Sequence, residues 1–207
     1  MYINVNAKNP DDRQVKQVAE MLRQGALIIY PTDSVYAVGC DPESKEGVEK
    51  LYNIKNSDPR NRQMTFMCDS ISMAAAYAGS ISNSSFRFIK DHTPGPYTFI
   101  MNATNKLPRV LGTKNKTFGF RIPDHAFCLK LIQELGRPVL SSSLKKLESE
   151  MEEEFYTNPE HIYSDYSLLV DAIVEGGMGM RTSSTIVDLT GEEPEVIREG
   201  LGVIETE

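Results

Sequence analysis

The stretch Ala26-Leu27-Ile28-Ile29-Tyr30-Pro31-Thr32-Asp33 decides the fold. Five consecutive apolar residues without polar alternation predict a strand covered on both faces, the pattern of a sheet with helices packed on each side. Pro31 lacks the N–H that a ladder needs, so the strand stops there and Thr32-Asp33 opens a loop at its end. Just upstream, Val15, Val18, Ala19 and Leu22 fall at i, i+3, i+4 and i+7 between Pro10-Asp11-Asp12 and Gly25, a helix with a start signal, an apolar stripe and a stop. A helix delivering the chain into a doubly covered strand is the repeating unit of α/β architecture.

Outward from that unit, the periodicity predicts strands at Met64–Cys68, Thr98–Ala103, Thr117–Ile122, Pro138–Ser142, Leu168–Ile173, Ser184–Leu189 and Glu195–Arg198. Helical patterns fall at Glu43–Ile54, Ser84–Asp91, Ala126–Leu135 and Pro159–Asp165. The last two strands are joined through Gly191-Glu192-Glu193-Pro194, which reads as a hairpin, so the sheet is expected to be mixed. No repeat, low-complexity tract or linker interrupts the chain. The expectation is an α/β fold: one domain over 1–207, with an open twisted mixed β-sheet and helices on its faces.

Composition narrows the class. The 207 residues are 40% hydrophobic and 25% charged, ordinary globular values. No apolar run approaches the roughly 18 residues of a membrane span, and the N-terminus does not read as a secretory signal. Cys40, Cys68 and Cys128 are odd in number and widely spaced, which suits a reducing cytoplasm and neither a disulfide framework nor a zinc site. A net charge of −7 argues against indiscriminate coating of nucleic acid. A local basic groove remains open, because Lys45, Lys50, Lys55, Arg60 and Arg62 cluster while Glu148 to Glu154 holds much of the acid.

Several strands finish in hydroxyl, Arg or Gly residues: Pro31-Thr32-Asp33, Arg121-Ile122-Pro123, Ser141-Ser142-Ser143, Ser183-Ser184-Thr185 and Arg198-Glu199-Gly200. Ligands of open α/β sheets bind beyond such ends, and Arg with Ser/Thr hydroxyls suits phosphate and carboxylate. Each hydroxyl taken alone could equally end its strand through a local backbone bond. No G-x-x-x-x-G-K-[ST] loop, strand-borne G-x-G-x-x-G or G-x-S-x-G elbow is present. His92, His125 and His161 are isolated from any metal-spaced partner, and Gly176-Gly177-Met178-Gly179 reads as a flexible loop.

The order of motifs resembles the YrdC/YciO family, the threonylcarbamoyl-AMP synthases and their relatives. Tyr30 to Gly39 resembles the P-T-[ED]-T-x-Y-G-L opening, Ile54-Lys55 the lysine motif, and Pro94-Gly95-Pro96-Tyr97-Thr98 the P-G-P-x-T turn. Arg121-Ile122-Pro123 resembles the R-x-P strand end, Ser184 to Asp188 the S-T-V-V-D strand, and Arg198-Glu199-Gly200 the R-x-G terminus. The resemblance implies a YrdC/RibB-like fold and a nucleotidyltransfer reaction. L-threonine, bicarbonate and ATP, the last with Mg2+, would give threonylcarbamoyl-AMP and pyrophosphate in tRNA threonylcarbamoyladenosine metabolism. It implies that Lys55 with Arg60 or Arg62 faces carbamate and phosphates, that Thr32 and Ser184 hold threonine, and that Arg121, Ser141, Ser143 and Arg198 hold the nucleotide. No resident metal is implied.

Two departures point to the YciO branch. Where synthases carry K-x-R, this chain reads Lys55-Asn56-Ser57, with Arg60 and Arg62 displaced; where they carry S-A-N-x-S-G, it reads Ser143-Leu144-Lys145-Lys146-Leu147-Glu148. Two alternatives therefore stand beside the synthase: a tRNA- or double-stranded-RNA-binding module, and a hydrolytic paralogue acting on a threonylcarbamoylated product.

Overall fold

Strand β1 (Tyr2–Asn4) is followed by helix α1 (Asp12–Arg23), which forms where the periodicity places it. Asp11 caps it by accepting the N–H groups of Arg13 and Gln14, and Val15, Val18, Ala19 and Leu22 are its buried face. The helix stops at Gly25, whose φ of +87° is open to glycine and strained for any other residue. The chain then enters β2 (Ile28–Tyr30), buried throughout. The structure, a computed structural model, describes residues 1–55, 64–107, 117–146 and 155–204.

Beyond β2 come β3 (Ala37–Cys40), α2 (Lys45–Ile54), β4 (Thr65–Met67), α3 (Ile71–Ala75), α4 (Asn83–Asp91) and β5 (Tyr97–Asn102). They are followed by β6 (Thr117–Arg121), α5 (Ala126–Leu135), β7 (Val139–Ser143), α6 (Pro159–Tyr166), β8 (Ala172–Glu175), β9 (Thr185–Asp188) and β10 (Glu195–Arg198). All ten strands join one sheet in the order β1-β8-β2-β3-β7-β4-β6-β5-β9-β10. The pairs β1–β8, β2–β8, β4–β6 and β5–β9 are parallel and the other five antiparallel, so the sheet is mixed, with β9–β10 its predicted hairpin.

Four elements depart from the sequence reading. The strand expected at Leu168–Ile173 forms only from Ala172, because Leu169 and Val170 turn back onto the carbonyl of Tyr166 at the end of α6. β1 and α3 are too short, at three and five residues, to show a period. β3 sits inside the segment read as a functional loop, and its burial on both faces hides any alternation.

Two cores flank the sheet. Val48 and Leu51 of α2, Ala74 of α3, Ile89 of α4 and Ile162 of α6 pack with Val38, Phe66, Phe99, Phe120, Leu140 and Ile173 on one side. On the other, Val18 and Leu22 of α1 and Phe127 and Leu131 of α5 pack with Ile28, Tyr30, Ala37, Ala172 and Val174. This second core covers β8, β2 and β3 and does not extend over β6, β5 and β9.

A Cβ at Gly25 would combine the strained φ with a 2.9 Å approach to Ser44 Oγ. Gly25→Ala should therefore cost about 1 kcal/mol or more and lower the melting temperature by about 2–4 °C. A thermal melt checks it; an unchanged midpoint would refute the strained turn.

Candidate functional site

Side chains alternate along a strand, so each central strand gives one set of residues to the α2–α4–α6 core and the other to the opposite face. In β6, Phe118 and Phe120 are core, which turns Gly119 and Arg121 to the other side. Register then aligns Gly119 with Thr65 and Thr65 with Ser141, while Phe99 opposite Phe120 brings Thr98 across from Arg121. Ser141 and Ser143 pair with Gly39 and Ala37, and so share this face too. Ser184 joins it through a 2.8 Å bond between its hydroxyl and that of Thr98.

The α1–α5 core reaches Val139 of β7 and Met67 of β4 and goes no further; beyond it Thr65 and Gly119 are half-buried, and Arg121, Thr98 and Ser184 are buried by other cover. A Cβ built on Gly119 would stand 3.6 Å from Thr65 Oγ1 and 3.7 Å from Thr98 Cγ2, which maps a shallow polar floor with a glycine at its centre. From β7 to β10 is five strand steps, about 24 Å at ~4.8 Å each, much longer than one amino acid.

The loop after β2 is tied to this floor by Arg121. Its Nη2 donates to Asp33 Oδ1 at 2.5 Å and its Nη1 to Ser34 Oγ at 2.8 Å, while Asp33 Oδ2 accepts the N–H of Asp124 at 3.0 Å. Arg121 is only 6% exposed, and its Nε is buried with no hydrogen-bond partner among the described residues. Thr32 sets the turn, donating to the Val35 carbonyl at 2.7 Å and accepting the Ser34 N–H at 3.0 Å. His125 precedes α5 close enough to feel Asp33 and Arg121, and burial pulls its pKa below the ordinary value.

Lys55 closes α2 and donates from Nζ to the Ser143 carbonyl at 3.0 Å. Burial first, and the nearby Lys145 charge second, hold its pKa below the usual lysine value. The two ammonium groups thus stand near each other at the end of the polar floor. At the far end, Arg198 donates from Nη2 to the Ser184 carbonyl at 2.8 Å.

The glycine loop after β8 also reaches the site. Tyr36 donates its hydroxyl to the Gly177 carbonyl at 2.6 Å and accepts the Gly176 N–H at 3.2 Å, and the Met180 N–H reaches the Ser34 carbonyl at 3.1 Å. Burial pushes the Tyr36 phenol up to about 12.

The residues singled out from sequence thus border one face in three groups: Thr32 with Arg121, Lys55 with Ser143, and Ser184 with Arg198. Arg121, Ser143 and Arg198 are the last residues of β6, β7 and β10 and Ser184 directly precedes β9, at strand ends as the sequence reading has them, and register brings them to one face of the sheet. Ser141 is 2% exposed and bonds its hydroxyl to that of Tyr30, at the boundary with the α1–α5 core. Arg60, Arg62 and the acidic run Glu148 to Glu154 lie outside the described residues. Sequence reasoning passed over Asp33, Thr65, Thr98 and Gly119 as site residues, and weighed Lys145 only as part of a basic RNA-binding surface. The alternation Thr117-Phe118-Gly119-Phe120-Arg121 was the available signal, since it separates an aromatic face from a small, polar one.

The arrangement can hold anions and align them. The three cysteines are buried and burial pushes their thiols up, so they are poor nucleophiles.

Comparison with known proteins gives a consistent picture. The family model covering Sua5, YciO and YrdC, described as telomere recombination, matches residues 20–200. Similar relatives include an uncharacterized protein of Haemophilus influenzae, 40% identical, and YciO of Escherichia coli, 38% identical, each over 97% of this chain and 96% of its own. The E. coli YciO crystal structure superposes with a TM-score of 0.89 at 37% identity, over 98% of this chain and 97% of that one. Pyrococcus abyssi Sua5 complexed with L-threonine superposes at 0.85 with 25% identity, over 97% of this chain and 57% of that one. A P. abyssi threonylcarbamoyl-AMP synthase is 25% identical over 97% of this chain and 58% of its own length.

Removing one partner of a buried ion pair strands the other charge. Asp33→Ala should cost about 3–5 kcal/mol, and adding Arg121→Met should recover part of it, a non-additivity that a double-mutant cycle by urea unfolding reads directly. Additive losses would show that the two do not interact. Lys55 carries a pH signature. With its folded pKa below the ordinary 10.5, the unfolded chain binds more protons between the two values, so the native protein should gain stability relative to Lys55→Met as pH rises through that window. Parallel stability curves for parent and variant up to pH 10.5 would contradict the depressed amine.

Proposed function

The chain belongs to the Sua5/YciO/YrdC family, and on that premise we propose that its polar face binds L-threonine and an adenine nucleotide for threonylcarbamoyl-adenylate chemistry. The observation that carries this reading is the half-face beyond the α1–α5 core. It is polar, about 24 Å long, floored by Gly119, and bordered by Lys55, Lys145, Arg121 and Arg198 in a protein whose net charge is −7. Asp33 neutralises Arg121, and Asp188 and Glu195 share the face with Arg198, so Lys55 and Lys145 mark its positive end.

In the synthetic direction a threonine amine would bond the carbon of bicarbonate with loss of water to give a carbamate, and a carbamate oxygen would attack the α-phosphate of ATP, breaking its bond to the β-phosphate oxygen and releasing pyrophosphate. Such a step needs alignment and charge stabilisation more than a protein nucleophile. Lys55, with Lys145 beside it, would meet phosphate charge near Ser143; Thr32 and Ser184 would hold threonine, and Arg121 and Arg198 would meet the remaining charge on the nucleotide. Magnesium would arrive with the triphosphate. Arg60 and Arg62 remain candidates for the second cation of the lysine motif.

The segment after β7 suggests weak nucleotide affinity. Where the synthases resemble S-A-N-x-S-G, Leu144 stands at the Ala position, buried in the core, and Lys145 stands at the Asn position, so an ammonium replaces the amide side chain that would pair with a base.

Incubation with threonine, bicarbonate, magnesium and labelled ATP, with and without tRNA, tests the reading: pyrophosphate release that requires threonine supports synthesis. Removal of the threonylcarbamoyl group from supplied threonylcarbamoylated tRNA, without synthesis, would support the hydrolytic paralogue. Tight retention of duplex RNA at physiological salt without either activity would favour the RNA module. Calorimetry should give ATP a Kd weaker than about 1 μM. Gly119→Leu should fill the floor and weaken nucleotide binding by about 10-fold, roughly 1.4 kcal/mol, while Gly119→Ala, whose Cβ meets only ordinary contacts, should bind as the parent does. Equal binding by Gly119→Leu would move the ligand off this face.

A further inference from the structure

Strand β10 ends the sheet, among the described residues, with all four of its residues exposed, unlike any other strand. Val196 is 41% and Ile197 50% exposed, and Leu201 and Val203 extend the apolar surface along the following segment. An edge strand presents unpaired backbone donors and acceptors to any strand that can lie beside it, and charges at its ends usually discourage that pairing. Here the charges do the opposite for one particular partner. β10 reads Glu195-Val196-Ile197-Arg198, acidic at one end, basic at the other and apolar between.

The register makes this self-complementary. Glu195 stands opposite Asp188 and Arg198 opposite Ile186, with an irregularity between Val196 and Arg198. Ile186 and Asp188 share a face, so the irregularity brings Glu195 and Arg198, three residues apart, to one face of the sheet, where an unbroken strand would place them on opposite faces. A second copy related by a two-fold axis perpendicular to the sheet would run antiparallel to β10. It would then place the partner subunit's Arg198 opposite Glu195 and the partner subunit's Glu195 opposite Arg198, with Val196 and Ile197 of both copies at the centre. Glu195 faces a like charge within its own chain, at Asp188, so an incoming guanidinium also offsets that repulsion. Arg198 bonds the Ser184 carbonyl through one Nη and has other contacts of its own, and a guanidinium carries five N–H donors in all.

We propose that the chain forms a two-fold homodimer by antiparallel pairing of β10 with β10, using reciprocal Glu195–Arg198 ion pairs around a Val196–Ile197 centre. A four-residue edge makes a small interface, so the dimer should be concentration-dependent, with a Kd on the order of 10 μM. It would also join the polar faces of the two copies into one continuous surface, because Arg198 lies at the end of each.

Sedimentation velocity across about 1–200 μM, which brackets that Kd, should show the mass rising from 23.2 kDa toward twice that value. Glu195→Arg and Arg198→Glu should each weaken self-association by about 10-fold or more, because each sets like charges opposite one another twice. An equimolar mixture of the two variants restores both pairs across the interface and should dimerise as the parent does. A folding defect could not produce that rescue. A monomer at 200 μM would overturn the proposal, as would single variants that dimerise like the parent or a mixture that stays monomeric.

Discussion

Arg121 carries a permanent charge onto the face of the sheet at a position where only 6% of its surface is exposed, and such a charge is tolerated only with a partner at close range. Asp33 is that partner, and it is supplied by the loop that follows β2. The consequences spread from this pair. The loop Pro31 to Tyr36 is drawn across the floor, and Ser34 is fixed both by the guanidinium and by the Met180 N–H. Asp33 also receives the Asp124 N–H, so the segment leading into α5 is tied to the same carboxylate. One ion pair thus links β2, β6, α5 and the glycine loop into a single rim.

The site depends on an asymmetry of cover. A sheet face normally hides under a helix layer, and α1 with α5 provides that layer over β8, β2 and β3. The strands beyond carry Thr65, Gly119, Thr98 and Ser143 where their neighbours carry Ile28, Tyr30 and Ala37. These residues give a covering helix little apolar area to bury, and the end of the α1–α5 layer follows from that deficit. The opposite face of the same strands holds Phe66, Phe99, Phe118 and Phe120, which anchor them firmly to the α2–α4–α6 core. Rigidity on one side and a polar, partly buried surface on the other suit a site that must hold a ligand without rearranging.

Much of this was legible in the sequence. The Val15–Leu22 stripe, the continuous run Ala26 to Tyr30, the hairpin at Gly191 to Pro194 and the helix Ala126–Leu135 were all readable, because each rests on local periodicity or turn chemistry. The ordered motifs also brought Thr32, Lys55, Arg121, Ser143, Ser184 and Arg198 to notice. Their arrangement was not readable, since it depends on pairings such as Gly119 with Thr65 and Tyr97 with Thr185, between strands far apart in the chain. The role of Asp33 was hidden for the same reason. Local reading makes it a turn residue, and only the approach of Arg121, 88 residues away, makes it a counter-ion. β1 and α3 escaped because a few residues cannot display a period.

The central claim is that the polar half-face, and no other surface, receives the ligand. Backbone amide chemical shifts recorded while AMP and L-threonine are titrated together test it most directly. The account predicts perturbations concentrated at Thr32–Ser34, Thr65, Thr98, Gly119 and Ser143, with α1 and the outer face of α6 unmoved. Saturating shifts confined to residues away from this floor, or none at millimolar ligand, would contradict it.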